Sequence, residues 1–461
     1  MFFFDKLPFG FRRNPAHSSE ENASPSALKH EPQRYEPHLS LEGPPDAQVS
    51  IANRHFHYFA GNAYLGLQAH PRVLAATCEA TLRYGTGTGT TRLALTAPPV
   101  LEVERRAAES LETEQAFYYI SGSLGPQIVL ETLRGTFDRI FVDEAVGPSV
   151  VQIVKLFGGD KAPVFFRHND PENLSFSLRQ NLKGTERPIL LTSGVFSTSG
   201  KIAPLHRYLR ILGEYEDASL FIDDSHGLGI LGKNGRGTYE YFGLNPGEVN
   251  RTRQDEQFQT PEDDFFAERF QQIDHLETEV ESLLNDDDSG QIPLDEMVDP
   301  SLLPVRRYAA SALSKAIGGT GGIIAGSGLF IGQLMERSSV FAEMSPPPSP
   351  LAAGTAEGLT LTFENDILRK KLKENTLYFK KKIRELGLPV DSLPVPVVSL
   401  PLGTASNMKR IQQRLAEQGI LIAYLPRLPG LSPDGALRIA IFATHSPEMF
   451  DHLIEKLRRL V

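Results

Sequence analysis

Lys315 follows Ser311-Ala312-Leu313-Ser314 and precedes Ala316-Ile317-Gly318-Gly319-Thr320-Gly321-Gly322. The run from Val305 to Leu313 is strand-like, so it delivers a primary amine onto a turn whose glycines let a ligand approach the backbone, the setting of a Schiff-base lysine. Upstream, Leu220-Phe221-Ile222-Asp223-Asp224-Ser225-His226-Gly227 is an apolar strand ending in a carboxylate, with a histidine three residues further on. A buried carboxylate raises the pKa of a pyridine nitrogen beside it, and an imidazole nearby can donate to a phenolic oxygen or shuttle a proton. Asp223 and His226 are the candidates for these tasks. A third segment reads as a strand over Ala116 to Ile120, a loop over Ser121-Gly122-Ser123-Leu124-Gly125, and a helix from Pro126 that closes before Gly135. Proline suits a first helical position, and the free N–H groups of such a start hold a phosphate, which places it on Ser123 and Leu124. An amine, a carboxylate for a ring nitrogen and a phosphate loop are together what pyridoxal phosphate requires. Each segment alone also fits something plainer: a surface lysine before a glycine loop, a turn capped by Asp and His, or a strand, loop and helix that bind nothing.

In the order phosphate loop, aspartate, lysine, the chain resembles the fold type I pyridoxal phosphate-dependent enzymes, with an aspartate aminotransferase-like α/β fold. Within them it resembles the α-oxoamine synthase family, which includes the 8-amino-7-oxononanoate, 2-amino-3-ketobutyrate, 5-aminolevulinate and sphingoid-base synthases. The similarity runs from about Phe59 to the C-terminus, interrupted once. It passes through Asn62-Ala63-Tyr64-Leu65-Gly66-Leu67, Tyr84-Gly85 to Arg92, Phe166-Arg167-His168-Asn169-Asp170 and Gly194-Val195-Phe196-Ser197 leading to Ala203-Pro204-Leu205. It continues through Asp223 to His226, Gly235-Arg236-Gly237, the Lys315 segment, and Ala436-Leu437-Arg438-Ile439 followed by Ala443-Thr444-His445. The resemblance implies decarboxylative condensation of an amino acid with an acyl-CoA thioester, releasing CO2 and CoA. It implies that Lys315 holds the cofactor and moves protons, that Ser197 lies near the phenolic oxygen, and that Arg438 grips the amino acid's carboxylate with Asn62 on the substrate side. A planar guanidinium suits that grip because it pairs with a carboxylate through two parallel bonds. A homodimer is implied as well, since the family builds its active site from both subunits. Another pyridoxal phosphate reaction, such as transamination or a lyase step, and a non-catalytic binding subunit are the other readings.

The departures from the family pattern are local. The ring-stacking histidine of the family falls at Gly147 in Asp143-Glu144-Ala145-Val146-Gly147-Pro148-Ser149, and a phosphate-binding threonine falls at Ala312. A Ser/Thr pair that reaches the phosphate from the partner subunit aligns with Ala342-Glu343, where a carboxylate would repel. A glutamate is replaced by Ser193, and the Ala-Asn after the phosphate loop by Gly125-Pro126.

The elements that must position these groups follow from pattern. Alternating strands and helices from about 50 to 340 suit a mainly parallel sheet covered on both faces. The expected division is an N-terminal arm to about residue 50, a large cofactor-binding domain over 51–345 with an acidic insertion at about 249–300, and a smaller domain over 346–461. Pro346-Pro347-Pro348-Ser349-Pro350 marks the break. In the last part a helix is expected over Asn407 to Gln418, closed by Gly419, then a strand over Ile420 to Leu425, and a final helix with Ser446 as cap and Pro447 first. The arm is rich in Pro, Ser, Glu and His and reads as extended or disordered.

The net charge of −10 sits in the insertion, where sixteen acidic residues face three arginines between Arg251 and Pro300. Its middle, Asp264 to Leu284, spaces apolar residues as an amphipathic helix does. Such a charge gives no reason to expect nucleic acid, and the lack of a long apolar run gives none to expect a membrane span. A single cysteine, Cys78, excludes an internal disulfide and points to a reducing, cytoplasmic setting, with a buried structural thiol expected. Scattered histidines offer no metal-ligand spacing, no Gly-x-Ser-x-Gly elbow is present, and Tyr84 to Arg92 lacks the phase of a dinucleotide loop.

Overall fold

Short runs of β-branched and aromatic residues become strands throughout. The structure, a computed structural model, describes residues 40–158, 161–257 and 304–461. The N-terminal arm before residue 40 and most of the acidic insertion, including the helix expected over Asp264 to Leu284, lie outside the described residues. In chain order the strands are β1 (Gln48–Ile51), β2 (Arg54–Tyr58), β3 (Gln115–Tyr119), β4 (Arg139–Asp143), β5 (Val164–Phe166), β6 (Pro188–Ser193) and β7 (Ser219–Asp223). They continue as β8 (Arg306–Ala312), β9 (Gly322–Gly326), β10 (Val397–Leu400), β11 (Ile420–Leu421), β12 (Ala423–Leu425) and β13 (Ala436–Ala440).

Seven of them form one sheet in the order β3-β9-β8-β7-β6-β4-β5. The pairs β8·β7, β7·β6, β6·β4 and β4·β5 are parallel, and β9 runs antiparallel to both of its neighbours. Strands buried on both faces read as unbroken apolar runs, as Ile189-Leu190-Leu191 and Leu220-Phe221-Ile222 do here, each fully buried. One face packs against Ile128, Val129, Val150 and Val154, the other against Leu174, Leu205, Tyr208 and Leu209. This is the α/β layering that the alternation of segments implies.

The C-terminal strands form a small antiparallel sheet, β10-β13-β12. Ile420 to Leu425 does not make the single strand its sequence suggests. The segment divides at Ile422: β11 pairs parallel with β2, while β12 pairs antiparallel with β13. The final helix, Pro447–Arg458, buries Phe450, Leu453, Ile454 and Leu457, and the helix Ala405–Glu417 is capped by Thr404, whose hydroxyl accepts from the Asn407 N–H at 3.2 Å. Cys78 is exposed rather than buried. On the helix Pro71–Tyr84 the residues that face inward are Val73 and Ala80, which leaves Leu74, Cys78 and Leu82 together on the outer side.

Candidate active site

Parallel strands present their C-terminal ends to one side, and ligands of such sheets bind there. Asp223 is the last residue of β7, and β8 ends at Ala312, three residues before Lys315. The turn after β8 is tight: Gly318 and Gly321 have φ of 68° and 78°, values that favour glycine. A side chain at Gly318 would also collide with Leu67 and Gln68, and Gln68 Nε2 donates to the Lys315 carbonyl at 3.3 Å. The lysine is thus fixed by its backbone, while no hydrogen bond among the described residues holds its amine.

The Lys315 amine is partly buried, and this desolvation lowers its pKa; the nearby Asp223 opposes that effect and the Arg438 cation adds to it. Burial raises the Asp223 pKa, countered by two hydrogen bonds to Oδ1, from the Ser225 N–H at 3.1 Å and the Ser225 hydroxyl at 2.5 Å. Ser225 Oγ in turn accepts from the Ala312 N–H at 2.8 Å, tying the aspartate turn to the lysine strand. His226 is pushed down to about 3, first by burial and then by the Lys315 and Arg438 charges. It is therefore a neutral imidazole at physiological pH, and its Nδ1 lies 2.9 Å from the Tyr64 hydroxyl.

Arg438, on β13, is 6% exposed. Its Nε donates to the Ser197 carbonyl at 2.6 Å, Nη1 to the carbonyls of Gly61 and Ala60 at 3.1 and 3.4 Å, and Nη2 to Asn62 Oδ1 at 2.6 Å and the Tyr64 hydroxyl at 3.4 Å. Among the described residues no carboxylate pairs with it. A buried cation held in place by neutral acceptors alone is a strong attractor for an incoming anion. Arg438, Asn62, Ser197, Tyr64 and His226 therefore form one connected cluster, and electrostatic coupling links it to Lys315 and Asp223.

The loop expected to hold a phosphate is a 3-10 turn, Gly122–Leu124, leading into the helix Gly125–Thr132. The Leu124 N–H donates to the Ser121 carbonyl at 3.0 Å, so it is engaged within the turn rather than free. Ser121 Oγ and Ser123 Oγ lie 2.9 Å apart on the exposed side, which adds Ser121 to the candidates. Gly122 has no room for a side chain, because a Cβ there would run into Ala312. A Cβ at Gly147, by contrast, would have Ser149 Oγ as its nearest neighbour at 3.9 Å, so crowding is not what excludes a larger residue. The motif around it is held by Asp143, fully buried, which pairs with His168 Nδ1 at 3.1 Å and accepts from the N–H groups of Ala145 and Asn169.

Sequence reasoning missed Tyr64, Ser225 and the Asp143–His168 pair as site supports. Tyr64 and His168 lay inside stretches of the resemblance, but only folding shows that they reach residues far along the chain. A cavity of about 490 Å³ lies along β10, lined by Ser199, Lys201, Val397, Val398, Ser399 and Ala436 among others. Ser399 pairs with Arg438 across the ladder, but Val397, Val398 and Ser399 line the cavity in succession, so it follows the edge of the small sheet, and Arg438 is not among its lining residues.

The residues present fit pyridoxal phosphate: an amine of lowered pKa, a partly buried carboxylate, a neutral histidine and a guanidinium with no carboxylate partner among the described residues are electrostatically coupled. The sequence matches the family Aminotransferase class I and II over residues 55–248 and 298–457. It is 28% identical over 411 residues to 8-amino-7-oxononanoate synthase 1 of Bacillus velezensis, covering 89% of each chain. With 8-amino-7-oxononanoate synthase 1 of Bacillus subtilis it shares 27% over 421 residues, covering 91% of each. Among solved structures, Sphingomonas wittichii serine palmitoyltransferase superposes with a TM-score of 0.71 at 21% identity, covering 90% of this chain and 89% of that one. Serine palmitoyltransferase from S. paucimobilis with bound PLP–myriocin aldimine gives 0.72 at 19%, covering 92% of each. The likeness to these structures is one of fold. The chain belongs to the aminotransferase class I and II family, with the fold type I architecture and in its α-oxoamine synthase branch.

Proposed function

We propose that the protein is a pyridoxal phosphate-dependent acyltransferase that condenses an amino acid with an acyl-CoA thioester. One carbon–carbon bond forms between the α-carbon and the acyl carbon, the bond to the carboxylate and the thioester C–S bond break, and an α-amino ketone, CO2 and CoA leave. The observation that carries this reading is Arg438, a buried guanidinium without a carboxylate partner among the described residues, 2.6 Å from Asn62 and coupled to Lys315.

Pyridoxal phosphate, when bound, supplies an electron sink for charge developing at the α-carbon. The protein's part is placement and proton handling. Arg438 binds the substrate carboxylate, and Asn62, Tyr64 and the Ser197 carbonyl keep its fork oriented. Lys315 would hold the cofactor and then carry a proton at the α-carbon, a task favoured by its lowered pKa. Asp223 would hold the ring nitrogen, while His226, neutral and bonded to Tyr64, offers a hydrogen bond without adding charge. Ser123 and Ser121 would serve the phosphate, with Leu124 contributing if its bond to Ser121 opens.

The reading includes a homodimer and the domain division expected from sequence, with the large domain ending near residue 345. The exposed leucines Leu82, Leu93 and Leu95, at 90%, 66% and 73% accessibility, support a partner surface. No helix among the described residues is long and apolar enough to cross a membrane, and a cytoplasmic setting is part of the proposal.

The test is a panel of amino acids and acyl-CoA thioesters with the protein and pyridoxal phosphate, following free thiol and CO2 together. Equimolar release that falls by about a thousandfold in Lys315→Ala supports the reading. Conversion of the amino acid to a 2-oxo acid, or thiol release without CO2, overturns it.

A further inference from the structure

Tyr119 is 2% exposed, and its hydroxyl has no hydrogen-bond partner among the described residues. Buried hydroxyls are nearly always paired, so one left over asks for a task. Its position follows from sheet register. Tyr119 pairs with Gly322, Gly322 with Ala312, and Ala310, two residues before Ala312, with Asp223. Paired residues share a face, as do residues two apart on one strand, so Tyr119, Gly322, Ala310 and Asp223 lie along one side of the sheet.

The small residues between them keep this row open. A Cβ at Gly322 would lie 2.5 Å from Tyr119 Cε2 and 2.6 Å from its hydroxyl. A Cβ at Gly125 would lie 2.6 Å from both that hydroxyl and the Ala310 Cβ. The tyrosine ring therefore lies over Gly322, and its hydroxyl ends beside Ala310, one strand away from Asp223. Asp223 directs only Oδ1 to Ser225; among the described residues no hydrogen bond reaches Oδ2. An unpartnered buried hydroxyl and a carboxylate whose Oδ2 takes no hydrogen bond among the described residues thus stand on one face with a single alanine column between them.

We propose that Tyr119 is a positioning residue for the cofactor, its hydroxyl acting through one bound water on the Oδ2 side of Asp223 to stabilise the carboxylate. The inference rests on the pyridoxal phosphate reading above. The Tyr119 hydroxyl is also electrostatically coupled to Asp223: after burial, the aspartate charge is the second cause of its raised pKa.

The test is Tyr119→Phe in the full chain, loaded with pyridoxal phosphate, with Tyr118→Phe as the comparison. Tyr118 donates to the Thr320 carbonyl at 3.0 Å, so its variant also loses a buried bond, but at a neighbouring position that does not share the row. In Tyr119→Phe the apparent pKa of the Schiff-base absorbance shifts by about half a unit or more and the cofactor dissociation constant rises several-fold. Tyr118→Phe changes the melting temperature and leaves the titration in place. An unshifted titration and unchanged affinity in Tyr119→Phe overturn the inference. No Schiff-base band in the wild type overturns the reading beneath it instead. Should Tyr119→Phe fail to fold, the ring Cζ resonance of 13C-labelled Tyr119 in the wild type decides: it moves on adding pyridoxal phosphate if the inference holds, and stays if it does not.

Discussion

At the scale of residues, the groups that would do chemistry are legible because their types are rare in such settings, and the groups that support them are not. Lys315, Asp223, His226 and Arg438 stand out from spacing and resemblance, and the fold gathers them. Tyr64 is invisible as His226's partner because 162 positions separate them in sequence. Ser225, two residues from Asp223, could have been found from the habit of serine to satisfy a strand-end carboxylate. Leu124 shows the opposite limit: a helix start suggests free N–H groups, but this one closes its own turn on Ser121. Arg438 carries the clearest residue-scale prediction. Arg438→Lys keeps the charge and loses the planar fork that Ser197, Gly61 and Asn62 orient. The KM for the amino acid should rise by about ten- to a hundredfold while the KM for the acyl thioester changes little. Equal changes in both would mean that the arginine holds structure rather than substrate.

Elements were predictable where pattern is local. The strand before Lys315 is expected over Val305 to Leu313 and found over Arg306–Ala312, and the helix after the phosphate loop ends at Thr132, ahead of Gly135 as expected. Ile420 to Leu425 breaks into two strands because separate neighbours, β2 and β13, claim its halves, which no local pattern reveals. The turn that carries Asp223 and His226 is anchored by Asp224, whose carboxylate accepts from the Thr238 N–H at 2.7 Å and its hydroxyl at 2.5 Å. Gly194, Gly227 and Gly237 crowd it so closely that a side chain at any of them would collide with it. Burial pushes the Asp224 pKa up to about 7, from an ordinary 3.8. A raised folded pKa favours the protonated native state, so this contribution is complete below pH 4 and is lost as pH rises through 7. Asp224→Asn mimics the protonated acid and should flatten that part of the stability profile, read as melting temperature against pH. An unchanged slope between pH 4 and 7 would assign the titration to other groups.

For the whole molecule, fold class and family follow from the order of motifs, while surfaces do not. Cys78 reads as a small buried hydrophobe, yet it sits between Leu74 and Leu82 on an outward face. Sequence gives the apolar stripe; only the packed helix shows that Leu74, Cys78 and Leu82 are exposed. On the dimer reading, Leu82→Glu places a charge in the subunit interface and should raise the dimer dissociation constant by about a hundredfold or more, measured by sedimentation. A wild type that sediments as a monomer at all concentrations would exclude that part of the account. The central claim, that Lys315 is a cofactor lysine with Asp223 beside it, is tested most directly by the visible absorbance of the purified protein with added pyridoxal phosphate, wild type against Lys315→Ala. The account predicts a Schiff-base band in the wild type that is missing from the variant. A band that persists in Lys315→Ala, or its absence from a folded wild type, would contradict it.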